Sequence, residues 1–313
     1  MTHFKRIAFL FPGQGAQYAG MAKDFFENFP KTREVFQTAD DILHRKLSKI
    51  VFEGPEEQLT ETKNSQVGIY VTSLAILSVI NDLYPKISPF ACAGLSLGEY
   101  TALTASGRLD FESCLPLVQF RGHYMNEACE INAGAMAVVL GLDAKDVEAL
   151  VKEVNLPHDL WAANFNCPGQ VVISGSRRGI EAGASAAKAK GAKRILPLPV
   201  HGAFHSGLMK PAEERLSEHI RQISLKKSPI GFVMNVSGNF VQDETDIKNN
   251  LIKQVTNPVR WEQSVRRMGE EAVDLFIEIG CGKVLSGFNK RILPNIPIIS
   301  IEKVDELDQL AKI

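Results

Sequence analysis

The chain has 313 residues, 45% of them hydrophobic and 23% charged, enough apolar material for one sizeable core with a smaller unit beside it. Its 35 Lys and Arg against 36 Asp and Glu give a formal net charge of -1, which argues against a nucleic-acid or membrane-surface protein. Five scattered cysteines (Cys92, Cys114, Cys129, Cys167, Cys281) with no C-x-x-C pair argue against a disulfide scaffold or zinc site and point to a reducing, cytoplasmic compartment.

Lys5-Arg6 followed by Ile7–Phe11 has the outline of a signal peptide, but the apolar run ends at Pro12-Gly13, too short for an h-region. It reads instead as a first buried strand. The loop after it, Phe11-Pro12-Gly13-Gln14-Gly15-Ala16-Gln17, lacks both G-x-G-x-x-G and a Walker lysine, so nucleotide binding is not expected. The backbone N–H of Gln14, between two glycines, is suited to receive an oxyanion. Val67–Ile80 is the longest apolar stretch at 14 residues, short of the roughly 20 a membrane span requires. A core helix is expected there.

Pro89–Ala93 reads as a second buried strand and Glu99–Ala105 as a helix ending near Gly107. Between them lies Gly94-Leu95-Ser96-Leu97-Gly98, the G-x-S-x-G pattern of a sharp strand-to-helix turn that lifts a serine hydroxyl out as a nucleophile. Ser96 is the expected nucleophile, and the N–H of Leu97 just after it a second oxyanion donor. This alternation predicts an α/β core with a mostly parallel sheet. Near residue 130 the rhythm changes. Strand-like Ala135–Leu142, Leu160–Asn164, Gln170–Ser174 and Arg194–Val200 interleave with helical Ala144–Val154 and Gly179–Lys190 in the order β-α-β-β-α-β, the ferredoxin-like arrangement. The core pattern resumes with a helix Met209–Ile223 and strands Ile230–Val236 and Val273–Ile279. The expected division is a core of residues 1–128 and 202–313 with a small subdomain, 129–201, inserted in it.

Ser96 needs a base. His3, His44, His158 and His219 fall in a terminus, an exposed helix, a loop and a polar helix face, and His123 neighbours an arginine on a helix. His201 and His205 flank Gly202-Ala203-Phe204 just before the Met209 helix, where catalytic groups gather at a sheet's carboxyl edge. Gly202, Ser206 and Gly207 argue against a helix aligning both rings on a metal, so no metal site is expected. The residues alone do not choose between His201 and His205. Arg121 has Leu117, Val118, Tyr124 and Met125 as helical face-mates. An arginine in an apolar stripe is a snorkelling side chain, half of an internal salt bridge, or a cation that awaits a ligand carboxylate.

Taken together, these motifs resemble the malonyl-CoA:acyl carrier protein transacylases of type II fatty acid synthesis. The resemblance runs through Phe11–Gly15, Gly94–Tyr100, Gln119–Gly122, Asn164–Gln170, Gly202–Ser206, Gln254–Trp261 and Glu278–Gly280. It implies a hydrolase-like core with a ferredoxin-like insert, Ser96 as nucleophile and His205 rather than His201 as base. It further implies that a main-chain carbonyl at Gln254 holds the imidazole in place of a carboxylate, that Gln14 and Leu97 give the oxyanion N–H groups, and that Arg121 clamps the malonyl carboxylate. Phe204 resembles the form associated with malonyl rather than branched units. The partners implied are malonyl-CoA and holo-acyl carrier protein, with no cofactor. Leu95, Ala16 and Cys281 depart from the commonest pattern, where histidine, serine and proline stand. None removes a proposed catalytic group, although Leu95 forgoes any polar contact of a histidine.

The expected chemistry is a ping-pong transfer through malonyl-Ser96. A serine thioesterase or esterase is the rival reading, against which stands His205's place long before the C-terminus. A carrier-protein binding module with a dead site is the third, against which stand Ser96, His205 and Arg121 together.

Overall fold

The computed structural model describes residues 4–200 and 202–313; His3 and His201 lie outside them. Among the described residues ten strands appear in chain order: β1 (Ile7–Phe11), β2 (Ala91–Gly94), β3 (Ala135–Leu140), β4 (Leu160–Cys167), β5 (Gln170–Gly175), β6 (Arg194–Pro197), β7 (Gly231–Met234), β8 (Asn239–Phe240), β9 (Leu275–Ile279) and β10 (Ile298–Ile301). They form two sheets.

The larger runs β10-β9-β1-β2-β7-β8, parallel except for β8, which pairs antiparallel with β7. Every residue of β1, β2, β7 and β9 is buried. Helices cover both faces of such a sheet, so its strands read as continuous apolar runs rather than alternating ones. The first face packs on helix Thr62–Leu83, which extends the expected 67–80 segment at both ends and is buried almost throughout. It is long and apolar enough to cross a membrane, yet 78% of that window lies inside the fold. The second face carries helices Trp261–Glu270 and Val284–Ile292.

The smaller sheet, β4-β5-β3-β6, is antiparallel, with helices Ala144–Val154 and Arg177–Ala189 packed on its own apolar layer. This is the ferredoxin-like order. Its β4 edge is tied to the larger unit by Phe165 N–H to the Val259 carbonyl at 2.9 Å and Val259 N–H to the Ala163 carbonyl at 2.8 Å.

Several expected boundaries move. β2 starts at Ala91 because Pro89 has no N–H for a ladder, and β6 stops at Pro197, short of Val200, for the same reason at Pro197 and Pro199. β4 continues past Asn164 to Cys167 through register shifts that keep it paired. The expected Met209–Ile223 helix is a 3-10 turn, Gly207–Met209, followed by helix Lys210–Gln222 with Pro211 in its first turn. β7 ends at Met234 rather than Val236, where the side chain of Asn235 takes over the pairing, as described below. β9 begins at Leu275, not Val273.

The larger sheet delivers its loops to one edge. There β2 turns into helix Gly98–Ala105 so tightly that a Cβ on Gly94 would lie 2.0 Å from the Gly98 carbonyl group. Gly94→Ala should therefore push helix and strand apart and lower stability by about 3 kcal/mol. A shift of the urea unfolding midpoint measures this; an unchanged midpoint would show that the strand and helix tolerate separation.

Candidate active site

Ser96 stands at the C-terminal end of β2 with φ +52°, a left-handed conformation that a β-strand-to-helix turn forces on the residue at its apex. The side chain is half-buried and its Oγ lies 2.8 Å from Nε2 of His205. His205 is also left-handed, at φ +58°, and its backbone N–H is held by the Val255 carbonyl at 3.0 Å. Its Nδ1 lies 2.8 Å from the main-chain carbonyl of Gln254. A carbonyl can only accept, so Nδ1 carries the proton and Nε2 is the free acceptor for the serine hydroxyl. Burial pushes the His205 pKa down to about 4, and the charge of Arg121 pushes the same way. The ring is a neutral base at physiological pH.

The two expected oxyanion donors are both backbone groups beside Ser96. Leu97 precedes the first turn of helix Gly98–Ala105, whose leading N–H groups have no intrahelical acceptor. Gly13 lies so close to the elbow that a Cβ there would sit 2.3 Å from the Leu95 carbonyl oxygen, which brings the Gln14 loop beside Ser96. Among the described residues, neither Gln14 nor Leu97 donates its backbone N–H to another protein atom.

Arg121 lies on helix Phe111–Ile131 with only 1% of its surface exposed. Nη1 donates to Gln66 Oε1 at 2.6 Å; Nη2 donates to Gln254 Oε1 at 2.9 Å and to Ser96 Oγ at 3.0 Å. Its Nε is buried and without a partner, and the guanidinium carbon lies 5.4 Å from the Tyr100 ring centroid. Neither snorkelling nor a salt bridge describes it: among the described residues no carboxylate lies within ion-pair distance of this guanidinium. Leaving a buried cation with neutral partners only is costly by several kcal/mol, so the arrangement is one that an arriving anion relieves.

The sequence reading missed four polar groups that build the site. Gln66 bridges Arg121 and Gln14, with Nε2 3.4 Å from Gln14 Oε1. Buried Thr62, Asn64, Ser65 and Gln66 open an otherwise apolar helix, a polar cluster that was a readable signal. Glu99, fully buried, has its pKa raised to about 8 by that burial, against the pull of its donors and of Arg121. Asn235 and the side chain of Gln254 gave no local signal. The remaining described histidines lie elsewhere. His44 and His158 are exposed in turns, and His123 pairs with Glu127 at 3.3 Å. His219 stacks on Phe120 with ring centroids 3.9 Å apart. Among the described residues no cluster of three or more His, Cys, Asp or Glu side chains is placed to hold a metal ion.

Residues 8–291 match the acyl transferase domain family. The malonyl CoA-acyl carrier protein transacylase of Bacillus subtilis (strain 168) is 43% identical over 304 residues, spanning 97% of this chain and 95% of that one. The crystal structure of the acyl-carrier-protein S-malonyltransferase of Burkholderia pseudomallei 1710b superposes with a TM-score of 0.94 at 40% identity, covering 99% of this chain and 100% of that one. A malonyl-transacylase solved in complex with a type II polyketide acyl-carrier protein does so with a TM-score of 0.94 at 37% identity, covering 98% and 99%.

The depressed His205 pKa sets the pH response. A protonated imidazole cannot take the Ser96 proton, so modification of Ser96 by a neutral sulfonyl fluoride should stay level from neutral pH down and fall only near pH 4. An acid limb near 6.5 would show a solvated ring instead.

Proposed function

The chain belongs to the acyl transferase family, among its malonyl-CoA:acyl carrier protein transacylases, and on that premise we propose that Ser96 carries the acyl group and Arg121 selects it. The protein transfers a malonyl group from malonyl-CoA to the phosphopantetheine thiol of acyl carrier protein, the S-malonyltransfer that feeds fatty acid synthesis. One observation carries the assignment of roles: a buried guanidinium with neutral partners only, 3.0 Å from the nucleophilic oxygen. In a malonyl thioester one methylene separates the carboxylate from the reacting carbonyl. A cation this near Ser96 suits that spacing, and guanidinium binds a carboxylate bidentately. An acetyl group would leave the cation unrelieved.

In the proposed reaction His205 Nε2 takes the Ser96 proton as Oγ attacks the thioester carbonyl. Negative charge gathers on the carbonyl oxygen, which the Gln14 and Leu97 N–H groups receive. The tetrahedral intermediate collapses by breaking the carbon–sulfur bond, and coenzyme A leaves with the proton that His205 held. The carrier's thiol then gives its proton to His205 and attacks malonyl-Ser96 by the same steps in reverse. The main-chain carbonyl of Gln254 keeps the imidazole in one tautomer throughout, the part a carboxylate plays in other serine enzymes. Every proton and acyl transfer uses these groups and the two thiols, so no cofactor enters the scheme, and we place it in the cytoplasm. We assign the antiparallel layer to an inserted subdomain, residues 129–201, within a core of 1–128 and 202–313.

A hydrolase would share Ser96 and His205 but release its acyl group to water. Intact-mass measurement after malonyl-CoA alone should find one malonyl group retained on Ser96 and none on Ser96→Ala; rapid release of free malonate would favour hydrolysis. Arg121→Ala should lower malonyl transfer at least ~10²-fold, the scale of an unpaired buried charge, while acetyl transfer falls far less. Equal losses for the two acyl groups would sink the carboxylate clamp.

A further inference from the structure

Two peptide planes flank the nucleophile, and a different buried carboxamide holds each. Asn235 follows the last residue of β7, which runs parallel to β2. Its Oδ1 accepts the Ser96 N–H at 2.7 Å and its Nδ2 donates to the Gly94 carbonyl at 2.7 Å. In a parallel ladder a residue donates to the carbonyl before its partner and accepts from the N–H after it. The Asn235 side chain makes that pair of bonds about Leu95, so it extends β7 as a surrogate for backbone and fixes the peptide between Leu95 and Ser96. Gln254 holds the next plane: its Nε2 donates to the Ser96 carbonyl at 2.9 Å. A trans peptide is planar, with C=O and N–H pointing in opposite directions. Fixing the Ser96 carbonyl therefore also fixes the direction of the Leu97 N–H, the oxyanion donor on the same plane.

Glu99 joins the two. Oε2 accepts the Asn235 backbone N–H at 2.5 Å and Oε1 accepts from Gln254 Nε2 at 2.9 Å. All three side chains are at least 99% buried. Gln254 also reaches outward, with Oε1 accepting from Arg121 and its main-chain carbonyl on His205.

We propose that Asn235 and the side chain of Gln254, tied together by Glu99, are positioning residues that aim the Leu97 N–H at the developing oxyanion and hold Ser96 in its left-handed turn. The inference rests on Ser96 acting as the acyl carrier. Their loss should slow the chemical step rather than loosen substrate binding, except that Gln254 also steadies Arg121.

Rapid-quench acylation by malonyl-CoA tests this, because the burst amplitude counts competent sites and the rate constant describes each one. Affinity for an unreactive thioether analogue of malonyl-CoA reports binding separately. Asn235→Ala should acylate ~10²-fold more slowly per site with analogue affinity unchanged. Gln254→Ala, which keeps the main-chain carbonyl, should slow the step similarly and weaken the analogue as well. A lower amplitude with the wild-type rate constant per site would mean that Asn235 only supports folding, and would overturn the proposal. So would a loss confined to analogue affinity. Should Asn235→Ala not fold, Glu99→Leu keeps the bulk but removes both acceptors that join Asn235 to Gln254, and should slow acylation about tenfold per site. A wild-type rate in that variant would overturn the proposal equally. Failure of the wild-type enzyme to form any malonyl adduct would instead reject the acyl-carrier reading beneath it.

Discussion

The left-handed backbone at Ser96 is the constraint on which the rest of the molecule depends. A non-glycine residue holds such a conformation only where its surroundings over-determine it. Here β1 and β7 pin β2 from both sides, and the missing Cβ on Gly94 lets the following helix close down on the strand. The polar groups freed by the sharp turn then go to side chains rather than to more strand. Asn235 and Gln254 bond the Ser96 N–H and carbonyl, and among the described residues the Leu97 N–H has no protein acceptor.

Electrostatics divides the labour around that turn. The Arg121 guanidinium is held by Gln66 and Gln254, whose amide oxygens orient it without cancelling its charge. In a dry site a full cation acts strongly on its neighbours. It helps keep His205 neutral, and among the described residues no carboxylate lies within ion-pair distance of the guanidinium. Glu99, the nearest buried acid in this network, is separated from Arg121 by the Gln254 amide. Placing neutral amides between the two keeps the cation available.

Much of this was legible in the sequence, and what was legible was local. The apolar run Ile7–Phe11, the glycine–serine turn and the apolar stripe around Arg121 each announce themselves within a dozen residues, because a buried strand, a tight turn and a helical face each impose a short-range pattern. Boundaries slipped where prolines end ladders, as at Pro89 and Pro197, or where a side chain replaces backbone, as at Asn235. The pairing of His205 with Ser96 was out of reach of spacing alone: His201 and His205 share one loop, and only the resemblance to a family favoured the second. The described ring of His205 lies 2.8 Å from Ser96 Oγ.

Composition, periodicity and motif order by themselves pointed to an α/β core with a parallel sheet, a ferredoxin-like insertion, a serine at a sharp strand-to-helix turn as candidate nucleophile, and an arginine in an apolar stripe whose partner stayed open. Those features depend on short-range sterics and on solvent exclusion, which the local order of residues controls. Only the tertiary structure decided that, among the described residues, Arg121 has no acidic partner and the Gln14 and Leu97 N–H groups no protein acceptor, and that Asn235, Glu99 and Gln254 meet behind Ser96. Asn235 lies 139 residues from the serine N–H that it accepts. Hydrogen bonds between polar side chains so far apart leave no periodic trace in a sequence; they exist because parallel strands and their crossovers deliver distant loops to the same edge of one sheet.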